Sequence, residues 1–261
     1  MVQSLDDLRE TLAQSHRILT MTNSMGDTTG HVMVRVPGTD RILLRCRSET
    51  DWSPGFARPE AMHVVDSDGN PAEEMGGYLP PPERHIACAI LKARPDVNCV
   101  IHAHPPAQIL CSITGVDIRP IVGSANSGGM MLALGGVPVY PRSILVASPE
   151  IAGPMVAVMG SRNVCLLKAH GNVVVGHSIE EATVRAIQIE NLARICWQVA
   201  AAGKQAPDIS WEDVEEFVHP KQPAAIAARD RQGGARWTWN YYLRMLNEGG
   251  TTHVEMGADQ P

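Results

Sequence analysis

The sequence predicts an α/β domain with a C-terminal extension, on three observations. Segments of helical and strand periodicity alternate through the middle of the chain. The apolar runs there stop at Pro- and Gly-containing turns. No internal repeat, low-complexity tract or linker divides the 261 residues. That length is enough for one large core, and a composition 44% apolar and 19% charged is that of a globular chain.

The elements follow in order. Residues 4–21 place Leu5, Leu8, Leu12, Ile18 and Leu19 at helical spacing, with Ser4 as N-cap and two aspartates in the first turn, which predicts an amphipathic helix. A Gly- and Thr-rich stretch, 26–30, leads into a strand at 31–36; the turn 37–40 returns the chain as a second strand at 42–44, giving a hairpin. A third strand is expected at 61–65, closed by Asp66-Ser67-Asp68-Gly69-Asn70. After three prolines at 80–82, residues 83–94 read as a helix, because proline is tolerated in a first turn. A buried strand at 98–104 must end at Pro105-Pro106, and a short helix runs through Cys111. The rhythm repeats as a helix at 149–159, a strand at 164–167 and a turn at 169–172. Ser178-Ile179-Glu180-Glu181 resembles a capping box and opens a long helix to about residue 201. The division expected is a principal domain at 1–203 and a helical extension at 204–261, packing on the same domain or on a neighbouring subunit.

Composition narrows the function. A formal charge of −6 leaves no basic stripe for phosphates, so nucleic acid is not an expected partner, and no apolar run approaches a bilayer span. The first residues show no secretory signal, which predicts a cytoplasmic protein. Six cysteines are scattered through apolar segments without a C-x-x-C pair, so reduced, buried thiols are expected. Ten histidines against eleven aromatics is an imbalance that packing does not explain.

Three groups of residues can carry chemistry. His102-Ala103-His104 ends a buried strand, and residues two apart on a strand share a face, so both imidazoles can meet one metal. Alone, His-x-His describes packed or surface histidines equally well. Lys168-Ala169-His170-Gly171 leaves the next apolar strand, where His170 is either a turn residue or a third ligand; three imidazoles would leave an open position for water or substrate. Glu83 follows Pro81-Pro82 at a helix start, where a carboxylate serves the helix dipole unless it faces a metal.

Together with Arg94-Pro95-Asp96-Val97-Asn98-Cys99-Val100-Ile101 before the His-x-His pair, Gly176-His177-Ser178-Ile179-Glu180-Glu181-Ala182 and the early Gly30-His31-Val32-Met33-Val34-Arg35, these motifs resemble the class II aldolase/adducin family over residues 5–203. The resemblance implies an α/β/α layered fold around a central mixed, largely antiparallel sheet, and a homotetramer with sites between subunits. It also implies one divalent metal ion per subunit held by His102, His104 and His170, with Glu83 near or on the metal as acid/base. Zinc or manganese are the foremost candidates, and iron or cobalt are compatible. Adducin-like members lack the metal histidines, so their presence here argues for an enzyme.

The chain departs from the family's sugar-phosphate aldolases. Where those hold phosphate with small hydroxyl-bearing residues, this sequence has Arg45-Cys46-Arg47-Ser48 and Pro81-Pro82. Guanidinium groups pair with planar carboxylates, so Arg45 and Arg47 are candidate clamps for an acid, or else solvated charges at a strand end. With the segment Gly128-Gly129-Met130-Met131 and a tail holding Trp237, Trp239, Tyr241 and Tyr242, the sequence resembles the family's decarboxylase branch. That implies a metal-dependent carbon-carbon lyase, carboxy-lyase before aldehyde-lyase, acting on a hydroxylated aromatic or heteroaromatic carboxylate. His31 and Tyr241 are further candidate substrate contacts; His177 reads as structural and His85 as no ligand. The alternatives are an aldolase or epimerase of an unphosphorylated sugar or short hydroxy-keto acid, and a non-catalytic adducin-like interaction module.

Overall fold

The structure, a computed structural model, describes residues 4–50, 53–219 and 224–249; the ends of the two expected segments, 1–3 and 250–261, lie outside the described residues. Helix α1, Leu5–Met21, begins in a full capping box: the Ser4 side chain accepts from Asp7 N–H while the Asp7 carboxylate accepts from Ser4. Its stripe of Leu8, Leu12, Ile18 and Leu19 is buried. Strands β1, His31–Arg35, and β2, Ile42–Arg45, form the expected antiparallel hairpin, and β3, Met62–Val65, pairs beside β2. Helix α2, Arg84–Ala93, leads to β4, Cys99–Ala103, which lies antiparallel along the other side of β1 and is buried throughout.

Then follow α3, Pro106–Thr114; α4, Ser127–Ala133; β5, Val139–Tyr140; α5, Pro149–Met159; β6, Val164–Leu167; and β7, Gly171–Gly176. The long α6, Ile179–Ala201, is capped by Ser178, and α7, Trp211–Val218, and α8, Ala224–Glu248, are the last helices among the described residues. The sheet order is β3-β2-β1-β4-β7-β6-β5, and among the described residues only the β5–β6 pair is parallel. This is the mixed, largely antiparallel sheet that the resemblance implied.

Strand alternation divides the core into two layers. Val32, Val34, Leu43, Ile101, Leu166 and Val174 pack with α1, α3, α6 and α8, while Met33, Leu44, Val100, Leu167 and Val173 pack with α2 and α5. Trp239 of α8 is buried in the first layer, with Tyr242, Leu243 and Leu246 against it. The two segments therefore share one core through α8.

One local expectation changes. The turn after β6 is Lys168-Ala169-His170, and Gly171 and Asn172 already belong to β7. That strand is buried on both faces, so it shows no alternation in its sequence. The pair Gly128-Gly129 has a packing reason: an added Cβ would lie 2.1 Å from Gln188 Oε1 at Gly128 and 2.8 Å from the Gln188 carbonyl at Gly129. These glycines let α4 approach α6. All six cysteines are free and buried, as expected. No helix among the described residues is long and apolar enough to cross a membrane.

Candidate metal centre and its pocket

Four side chains converge where β4 ends beside the β6–β7 turn. One ligand atom each from Glu83, His102, His104 and His170 lie within 4.8 Å of one another, the spacing of a shared cation. His102 Nε2 is 3.2 Å from Glu83 Oε2 and 3.2 Å from His104 Nε2, and His170 Nε2 is 3.4 Å from Glu83 Oε1.

Each donor is aimed by its surroundings. His102 Nδ1 donates to the Asn172 carbonyl at 2.8 Å; a carbonyl can only accept, so Nδ1 is protonated and Nε2 is the nitrogen turned toward Glu83 and the centre. His104 Nδ1 pairs with Thr29 Oγ1 at 2.6 Å, leaving its Nε2 inward. Such partners fix the rotation and tautomer of metal-binding imidazoles. His170 itself is presented by a tight turn in which Ala169 has φ 53°, in the left-handed region. An added Cβ at Gly171 would come 2.1 Å from the Ala103 carbonyl oxygen and 2.9 Å from His104 Cδ2, so only glycine lets this turn close on β4.

The electrostatics favour a cation. Burial raises the Glu83 carboxyl, but the His102 hydrogen bond, the His102 and His170 charges and the Val146 N–H outweigh it and hold the group at about 2. Burial and the neighbouring histidine charges push His104 down to about 4, and His170 is lowered in the same way, mainly by burial. These groups have their lone pairs free at neutral pH, which a divalent metal requires. Three imidazole nitrogens and a carboxylate are a donor set suited to zinc, manganese, iron or cobalt.

The centre opens into a cavity of about 370 Å³ lined by Thr29, His31, Arg47, Pro82, Glu83, His104, Leu145, Ala169 and His170. His31 pairs across the sheet with His102 and is buried, with no hydrogen-bond partner at Nδ1. Burial, followed by His102, Arg47, His16 and Arg45, keeps it well below its ordinary value. Arg47 reaches the cavity because the chain leaves β3 after Arg45: Arg47 exchanges both backbone hydrogen bonds with Leu79, four residues before Glu83.

Arg45 is not among the cavity's lining residues. It shares strand parity with Leu43, is 1% exposed, and lies within electrostatic reach of His16 and His31. Tyr241 is 57% exposed on α8, which packs on α1 and α6, in the layer that does not carry Glu83. Sequence reasoning missed Thr29, Asn172 and the loop 141–148, whose Val146 N–H donates to Glu83 Oε1 at 3.1 Å and whose Leu145 walls the cavity.

Comparison with known proteins adds three findings. Residues 10–197 match the family described as Class II Aldolase and Adducin N-terminal domain. A 3,4-dihydroxyphthalate decarboxylase of Arthrobacter keyseri is 39% identical over 212 residues, 80% of this chain and 85% of its own; a protein of the same name from Terrabacter sp. is 38% identical over 208, covering 79% and 87%. The crystal structure of an aldolase II superfamily protein from Pseudomonas syringae superposes with TM-score 0.74 at 22% identity, covering 96% of this chain and 95% of that one. At that identity the last likeness speaks for the fold alone.

Proposed function

The chain belongs to the class II aldolase and adducin family, and from that premise we propose that it is a divalent-metal-dependent carboxy-lyase of a hydroxylated aromatic or heteroaromatic carboxylic acid. One observation carries the reading: the Glu83, His102, His104 and His170 cluster opens on the same cavity as Arg47 and the unpartnered His31 Nδ1. The naming of relatives up to 39% identical as 3,4-dihydroxyphthalate decarboxylases supports a ring bearing adjacent hydroxyls and carboxylates.

His102, His104 and His170 would hold one ion per subunit, zinc or manganese foremost, with iron or cobalt compatible. When bound, the ion supplies Lewis-acid stabilisation of the electrons left when carbon dioxide departs. Pro82 and Leu145 offer apolar walls to a flat ring. Arg47 grips a carboxylate and His31 Nδ1 meets a substrate oxygen, with the Arg45 charge helping to keep His31 neutral. Glu83, ionised at neutral pH, takes the proton of a substrate hydroxyl and returns it to the ring carbon that loses the carboxylate. Beside the cavity, Leu79 and Leu145 are exposed apolar residues, which supports a homotetramer with sites at subunit interfaces; Tyr241 would reach substrate only from a neighbouring subunit. We place the protein in the cytoplasm and divide it at 203/204.

The test is carbon dioxide release by purified, metal-analysed protein from 3,4-dihydroxyphthalate and from hydroxylated benzoates and pyridinecarboxylates. Glu83→Gln is expected to slow release about 10²–10⁴-fold. Release of only an aldehyde or ketone, from a sugar or hydroxy-keto acid, would overturn the carboxy-lyase. Absence of stoichiometric metal, with His102→Ala matching wild type throughout, would favour an interaction module.

A further inference from the structure

A buried carboxylate outside the cavity ties together the two chain segments that carry the imidazoles. Glu190, on α6, is 5% exposed. Its Oε1 accepts from the Ala107 N–H at 2.9 Å, and its Oε2 accepts from the Gln108 N–H and from Gln108 Nε2, each at 3.2 Å. Helix α3 begins at Pro105-Pro106 with no side-chain cap of its own, so Glu190 supplies from another helix the acceptor its free N–H groups need. Those N–H groups stand three and four residues after His104.

The second arm reaches the other segment. Gln108 Oε1 accepts from Asn172 Nδ2 at 2.9 Å, and the Asn172 carbonyl takes the Nδ1 proton of His102. Asn172 follows His170 by two residues. Gln108 and Asn172 are fully buried, so these bonds have no water to replace them. A carboxylate at this depth is costly to desolvate, and Leu or Met would fill the same space.

We infer that Glu190 is a positioning residue for the metal centre, holding the His102–His104 segment and the His170 turn in register through Gln108 and Asn172. The inference rests on the metal-binding part of the proposed function. Of its consequences, the sharpest is that the network sets metal affinity separately from fold stability.

Cobalt(II) titration of metal-free protein tests it, read as Kd by chelator competition and as the d–d absorption band, with Tm of the metal-free protein measured alongside. Glu190→Gln, which puts an amide donor against N–H groups, is expected to weaken Co²⁺ binding roughly 10–100-fold and to shift the band. Gln108→Met, which cuts the Asn172 arm while leaving the α3 cap, is expected to weaken binding in the same direction and decides the matter where Glu190→Gln does not fold. Variants with lowered Tm but Kd within about twofold of wild type and an unchanged band would mark the carboxylate as purely structural and overturn the inference. Wild-type protein that binds no Co²⁺ would overturn the metal centre itself, a distinct result.

Discussion

At the scale of single residues, two arginines two positions apart have different surroundings, and their substitution separates recognition from stability. Arg47 lines the cavity, and its Nε has no hydrogen-bond partner. A hydrogen bond to a charged partner contributes about 1.5–3 kcal/mol, so Arg47→Met is expected to raise KM for the acid roughly 10–100-fold while Tm holds. An unchanged KM would remove Arg47 from substrate binding. The histidines divide as sharply. His16 is fully buried, gives its Nδ1 proton to the Leu12 carbonyl and accepts the Val32 N–H at Nε2, so it joins α1 to β1 as a neutral ring. Burial, followed by Arg45, lowers it to about 3. Its folded pKa lies below the unfolded value near 6.5, so its contribution is whole above pH 6.5 and is lost as pH falls toward 3. The stability advantage of wild type over His16→Gln is expected to shrink by about 3 kcal/mol between pH 7 and pH 4, measured by urea denaturation. A difference that does not vary with pH would remove His16 from the acid response.

At the scale of elements, the centre depends on how closely the β6–β7 turn approaches the end of β4. Gly171→Ala would drive a methyl into the Ala103 carbonyl and the His104 ring. The expected cost is about 1–3 kcal/mol of stability, as for other overpacked sites, together with weaker metal binding, read by thermal denaturation and metal titration. A variant matching wild type in both would mean the turn can shift freely. This contact also shows what could be read beforehand. His102, His104, His170 and Glu83 were legible because each stands beside chain punctuation, Pro-Pro or Gly, at the end of an apolar run. Asn172 meets His102 and Val146 meets Glu83 through backbone atoms, which any residue possesses, so nothing in their identity marks those contacts. Glu190 lies in a helix pattern that reads equally well as a solvated face. Strand β7 was hidden because full burial erases alternation, and Arg45 and Arg47 differ in surroundings because β2 ends at Arg45 whereas Arg47 pairs with Leu79.

At the scale of the whole molecule, the tail's aromatics stand in two settings. Trp239 is buried against the layer of α1 and α6, whereas Trp237 and Tyr241 on the same helix are exposed. The described residues of α8 do not line the cavity, and all four candidate ligands precede residue 203. A chain ending after Gly203 is therefore expected to lose the buried Trp239 contact, about 3–5 kcal/mol, which at this size lowers Tm on the order of 10 °C. Metal stoichiometry is expected to survive, because the donors and their hydrogen-bond partners remain. Scanning calorimetry and Co²⁺ titration measure the two effects independently, and a truncated chain that folds but binds no metal would contradict this separation. Substrate preference is the third readout. Because Tyr241 lies away from its own chain's cavity, a changed preference in Tyr241→Ala at unchanged Tm and unchanged metal affinity assigns that ring to the pocket of an adjoining subunit. Unchanged preference leaves α8 with its packing role and withdraws Tyr241 from the substrate contacts.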